Sequence, residues 1–134
     1  MRGVAIILAV GLPLFAACIN DETPTVARVV VEANPAAPLE LIVSTNFLAS
    51  FDEETGTRDL VILTADTTRL TGDFEQEVSI ARFTRIYVRV ANDEVTPEQV
   101  RLVVFIGSER LHNRSAEISS GEFLEFLFTS RNIG

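Results

Sequence analysis

From Ala27 to Thr129 apolar and polar residues alternate with a period of two, interrupted at intervals by turn formers. Carried on β-branched and aromatic residues, that period is the signature of strands. Ala27–Glu32 predicts a first strand, ended by Asn34-Pro35-Ala36-Ala37-Pro38. Leu39–Phe51 predicts a second, with Leu39, Leu41, Val43, Phe47 and Phe51 on one face and Glu40, Ser44, Asn46 and Ser50 on the other. An acidic loop at 52–57 closes it. Asp59–Thr64, apolar on both sides, reads as a central strand, and 66–73 offers only a short edge piece.

Phe74–Val90 alternates most cleanly. Phe74, Val78, Ile80, Ile86, Val88 and Val90 hold even positions, while Glu75, Glu77, Ser79, Arg85, Tyr87 and Arg89 hold odd ones. One buried and one wet face mark an antiparallel sheet. The stretch is longer than a usual strand of about five or six residues, so a bend near Arg82–Thr84 that keeps the phase is expected. Thr96-Pro97-Glu98-Gln99 has a cap, a proline at the first helical position and a glutamine three residues on, which predicts a single-turn corner. Val100–Ile106 is a strand, Gly107-Ser108 a hairpin turn with glycine first, and Glu109–Arg114 the return. Glu122–Thr129 is the last strand. It puts Phe123 and Leu127 on one face and Leu124, Phe126 and Phe128 on the other, so its second face needs cover from a loop, a strand or another protein.

No segment keeps helical apolar spacing over three turns. About seven strands with turns between them predict an all-β fold, an antiparallel two-layer sandwich of immunoglobulin-like architecture, with a small β-barrel as the competing closure. The likeness to immunoglobulin-like sandwiches is one of architecture. The tyrosine that follows such a corner in that family is replaced here by Leu102 and Val103.

Upstream, Met1 and Arg2 precede an apolar or small run from Gly3 to Ala17, the layout of a secretory signal. Val4–Ala17 is too short to cross about 30 Å of hydrocarbon, which takes roughly 20 residues. Leu14-Phe15-Ala16-Ala17 stands directly before Cys18, the single cysteine of the chain. This segment resembles the lipobox of bacterial lipoproteins. The resemblance implies a diacylglycerol on the Cys18 thiol and cleavage just before it, although Ala16-Ala17 would also suit a general signal peptidase. In that class an aspartate after the cysteine favours retention at the inner membrane. Ile19 in that place implies the outer membrane where the organism has two. The expected organisation is a signal peptide at 1–17, a lipidated tether at 18–26 and a sandwich at 27–134. A tether that short reaches about 30 Å, which holds the domain near the bilayer.

Without residues 1–17 about 117 residues remain, enough for a hydrophobic core with no disulfide framework. The formal charge of −8 becomes about −9, and no lysine occurs, so every fixed cation is an arginine. An acidic domain repels phosphate backbones, which excludes nucleic acid as an expected partner. It also stands off from anionic headgroups, leaving membrane attachment to the acyl chains.

Candidate chemistry is sparse. A Ser-His-acid group would have to use His112 with Ser108 or Ser115, and neither serine sits in a Gly-x-Ser-x-Gly elbow. Period two would place Ser108, Arg110 and His112 on one hairpin face, which suggests a solvated histidine in a positive neighbourhood. Zinc lacks ligands. Asp52, Glu53, Glu54 and Asp59 crowd one loop and form a weak calcium candidate, with an ordinary acidic turn as the simpler reading. Paired carboxylates for sugar hydrolysis would lack a tryptophan platform. No catalytic residue or cofactor is assigned. Arg85, Tyr87 and Arg89 project together from one strand face, a composition that interaction surfaces favour, although cross-strand ion pairs would use the same residues. The expected function is therefore a lipid-anchored envelope module for protein interaction or assembly, with an envelope protein as partner. A small-ligand or carbohydrate-binding accessory lipoprotein is the alternative, and an envelope hydrolase a distant third.

Overall fold

The computed structural model describes residues 25–80 and 84–129. The signal peptide, Cys18 and nearly all of the tether lie outside the described residues. Val26, expected in the tether, already belongs to the first strand. The strands are β1 (Val26–Ala33), β2 (Leu39–Asp52), β3 (Thr57–Leu70), β4 (Phe74–Ser79), β5 (Arg85–Ala91), β6 (Glu98–Ile106), β7 (Glu109–Ile118) and β8 (Phe123–Thr129). They form two antiparallel four-stranded sheets, ordered β4-β1-β6-β7 and β3-β2-β5-β8. The sheets are open at their edges, so the fold is a two-layer sandwich and not a barrel. Only β2–β3 and β6–β7 are hairpins within one sheet, and every other connection crosses between layers.

The inner faces follow the alternation. Ala27, Val29 and Val31 of β1 and Val100, Leu102 and Val104 of β6 meet Leu41 and Val43 of β2 and Ile86, Val88 and Val90 of β5, all nearly or fully buried. Leu124 completes the layer, with Phe126 and Phe128 packed against it. The outer face of the first sheet is wet. There Arg28 pairs with Glu75 at 3.1 Å and lies 4.1 Å over the Phe105 ring, while Arg101 bridges Glu32 and Asn113.

The expected bend between Phe74 and Val90 is the crossing from β4 to β5. Thr84 holds a positive φ of 50° and donates its N–H to the Ile80 carbonyl at 2.8 Å. Phase is kept because both strands turn their even positions inward. The predicted corner at Thr96 contains no helical turn. Pro97 instead precedes β6, and the buried Glu98 carboxylate accepts the Ala36 N–H at 2.7 Å. Gly107 has a φ of +62°, as a turn with glycine first demands.

Asp59–Thr64 is not central. It is the middle of β3, a 14-residue edge strand that also absorbs most of the expected short edge piece. β2 pairs with β5 only over Glu40–Ser44, yet with β3 as far as Asp52. The hairpin thus outruns its sheet, and residues 45–64 form an arm. Two register shifts, between Val43 and Asn46 and between Asn46 and Phe47, offset each other. One extra residue on each strand turns the arm over. Phe47, expected beside Val43 in the core, therefore lies on the opposite face against Tyr87. The buried Ser44 hydroxyl holds this point, donating to the Thr64 carbonyl at 2.5 Å and accepting the Asn46 N–H at 3.1 Å.

At the opposite end Asn92 is fully buried. Its side-chain amide donates to the Thr96 and Ile118 carbonyls at 2.8 and 2.9 Å, and its Oδ1 accepts the Glu94 N–H at 2.9 Å. Its backbone N–H and carbonyl bond Glu122 and Gly121. Asn92→Ala leaves the Thr96 and Ile118 carbonyls and the Glu94 N–H without their side-chain partner and should lower stability by about 2–4 kcal/mol. The check is a lower urea midpoint with an unchanged m-value; an unchanged midpoint would refute the pinning role.

Candidate functional site

The outer face of the second sheet carries the residues singled out from sequence. Arg85, Tyr87 and Arg89 do share it, since β5 turns Ile86, Val88 and Val90 to the core. The surface is not the free wet face expected. The arm crosses it as a partial third layer, and Tyr87 is only 2% exposed. Its ring meets Phe47 at 6.3 Å, and its hydroxyl donates to Glu125 Oε2 at 2.6 Å. Arg58, near the arm's tip, donates to Glu125 Oε1 at 2.7 Å. Arg85 lies 4.9 Å over the Phe47 ring and donates to the Thr45 carbonyl at 3.3 Å. Arg89 sits 5.7 Å over Phe123, and its Nε is buried without a partner among the described residues. The expected patch is thus corrected in its central member: Tyr87 is a buried clasp for the arm.

The electrostatics follow from that clasp. Burial, then the hydrogen bond to Glu125, pushes the Tyr87 phenol up to about 12. Burial works against ionisation of Glu125, but the Tyr87 hydroxyl and the Arg58 guanidinium outweigh it and hold the carboxyl below its usual range.

The arm also covers part of the second apolar face of β8. Ala49, Ser50, Phe51 and Arg58 face Leu127 and Thr129 across a groove of about 200 Å³. Small-molecule sites usually enclose about 300–1,000 Å³, and Phe51 is the single ring lining this one. The arm's own apolar residues are less well covered. Leu48, Phe51, Val61 and Leu63 are each more than half exposed, and Leu48 and Val61 face each other across the hairpin. Sequence reasoning missed this feature because Leu60–Leu63 carries the same signal as a central strand.

The acidic loop is a hairpin turn. Asp52 Oδ1 accepts the N–H groups of Glu54 and Thr55, and the Asp52 carbonyl accepts that of Gly56, whose φ is +70°. Asp59 lies further along β3, opposite Ser50. Among the described residues no three His, Cys, Asp or Glu side chains gather as a metal site would require. His112 is not a solvated hairpin residue either. A register shift beside Val104 leaves Leu111 unpaired, so Arg110 pairs with Phe105 while His112 pairs with Val104. Its ring lies 5.0 Å from Phe126, between the sheets. Burial and then nearby Arg114 hold its pKa below 6.5. Ser108 and Arg110 therefore do not share its face.

No protein-family model matches the chain, and no curated protein or solved structure matches it.

Tyr87 is the single tyrosine of the chain, so phenolate absorbance reads it directly. Titration of the folded protein should place it near 12, returning to about 10 in denaturant. A folded pKa above the unfolded one gives stability that is complete below pH 10 and lost as pH rises towards about 12. An ordinary phenol pKa in the folded state would show that the clasp does not exist.

Proposed function

We propose that this chain is a lipid-anchored domain of the bacterial cell envelope that works as a protein-interaction module, with the β2–β3 arm as its contact surface. The carrying observation is the state of β3. It is a long edge strand with Val61 and Leu63 each 52% exposed and Leu48 beside them at 56%. An edge of unpaired backbone groups with apolar side chains is a ready template for another chain, and extended segments add to such edges. The Leu14–Cys18 motif supports lipid anchoring. The clasp supports a surface contact over catalysis, because its titratable groups are engaged with one another.

The test is a photoreactive residue at Val61 in intact cells, with Glu117 on β7 as the control position. One dominant protein adduct at position 61 and none at 117 is the expected result. With the probe kept at position 61, the double change Leu48→Ser, Leu63→Ser at its apolar neighbours should abolish it while leaving stability within about 0.5 kcal/mol. Diffuse, equal labelling at both positions would refute the reading. Cys18→Ser should move the protein from membranes to the soluble fraction; persistence in membranes would refute the anchor.

A further inference from the structure

Resting on that reading, we infer the chemistry of the partner: an extended protein segment that sets apolar side chains beside Lys or Arg and adds along β3 over Thr57–Ile62. The choice among four edges comes first: β8 has only seven residues, and the arm already lies across a groove from its Leu127 and Thr129. β4 is six residues long and shows Glu75 and Glu77 to solvent. β7 is lined with Glu109, Arg110, Arg114 and Glu117 and broken by its register shift. Charges and irregularities of that kind are how edges are kept from pairing. Over Thr57–Ile62 β3 runs in unbroken register with β2, and Leu60, Val61 and Ile62 carry no charge. Beyond it, the shift at Leu63 ends the regular edge.

Charge then selects the occupant. Asp52, Glu53, Glu54, Asp59 and Asp66 are all exposed around the apolar strip. Of the two β3 cations, Arg58 pairs with Glu125, and Arg69 lies at the far end of the strand from Thr57–Ile62, in register with Glu40. The strip is therefore ringed by carboxylates that the arm leaves uncompensated. Asp59 and Val61 are two apart on one face of β3, so a paired strand meets them with residues also two apart. The complement is a cation opposite Asp59 and an apolar residue opposite Val61. A second copy of this acidic chain would bring two such rims together, and an anionic bilayer would meet the same repulsion.

The same in-cell crosslink at Val61 separates the outcomes. Glu53→Lys, Glu54→Lys and Asp59→Lys together leave the apolar strip intact and should cut adduct yield at least about tenfold, the scale of lost electrostatic steering. Reversing Glu109 and Glu117 on β7 should leave the yield unchanged. The peptide joined to position 61, sequenced by mass spectrometry, should carry Lys or Arg two residues from an apolar contact. If the arm reversals leave the yield intact while Leu48→Ser, Leu63→Ser abolishes it, the basic partner is refuted and the interaction role stands. An adduct of twice the chain mass, or one with lipid, refutes the inference in favour of self-association or membrane contact. If the unaltered arm gives no adduct, both readings fall. Unchanged thermal melts of each variant exclude misfolding as the cause.

Discussion

A strand shows its faces alternately, so one extra residue turns everything after it over. This protein makes that move on two paired strands at once. The shifts around Asn46 offset each other, so pairing resumes in the original register with both strands inverted. Before that point Leu39, Leu41 and Val43 belong to the core; after it Phe47 covers Tyr87. Without the inversion, Phe47 would have no partner beyond the end of the sandwich, and Tyr87 and Glu125 would lie open. A single hydroxyl, on buried Ser44, ties the inversion to the carbonyl of Thr64 and the amide of Asn46.

The clasp that results is polar and internal. Glu125 receives both the phenol and a guanidinium, which satisfies the anion and makes each donor depend on the same carboxylate. Hydrogen bonds to a charged group are stronger than neutral ones. The arm is thereby held down on one side by specific contacts, while Leu48, Val61 and Leu63 remain more than half exposed. Holding a surface rigid before it is used reduces the ordering cost of contact.

Strand positions were largely legible in the alternation, because inward residues at β1, β5 and β6 must be apolar and their outward neighbours need not be. The inverted arm was not. Leu60–Leu63 is apolar on both sides whether a sheet, an arm or a partner covers it, and periodicity does not name the cover. The register shifts were equally silent, since Ser44-Thr45-Asn46 and Leu111 carry no glycine or proline to mark them. The grouping of Arg85, Tyr87 and Arg89 on one face followed directly from period two. The burial of Tyr87 did not, because its cover, Phe47, lies forty residues upstream. The role of Asn92 had no sequence signal beyond being a polar residue at a strand end.

The central pairing of the first sheet joins β1, the first strand, to β6, made some seventy residues later. Pairing Ala27 with Ile106 and Ala33 with Val100 closes a loop containing β2 through β5. Ordering so large a loop must come before its contacts are rewarded. Folds dominated by such distant partners reach the native state in milliseconds to seconds, not microseconds. As the chain emerges from its amino end, Val29, Val30 and Val31 have no native neighbours on one side until Leu102, Val103 and Val104 have been made. The domain therefore has an intrinsic delay during which its valine-rich first strand is uncovered on one side, set by the order of its strands and not by their strength.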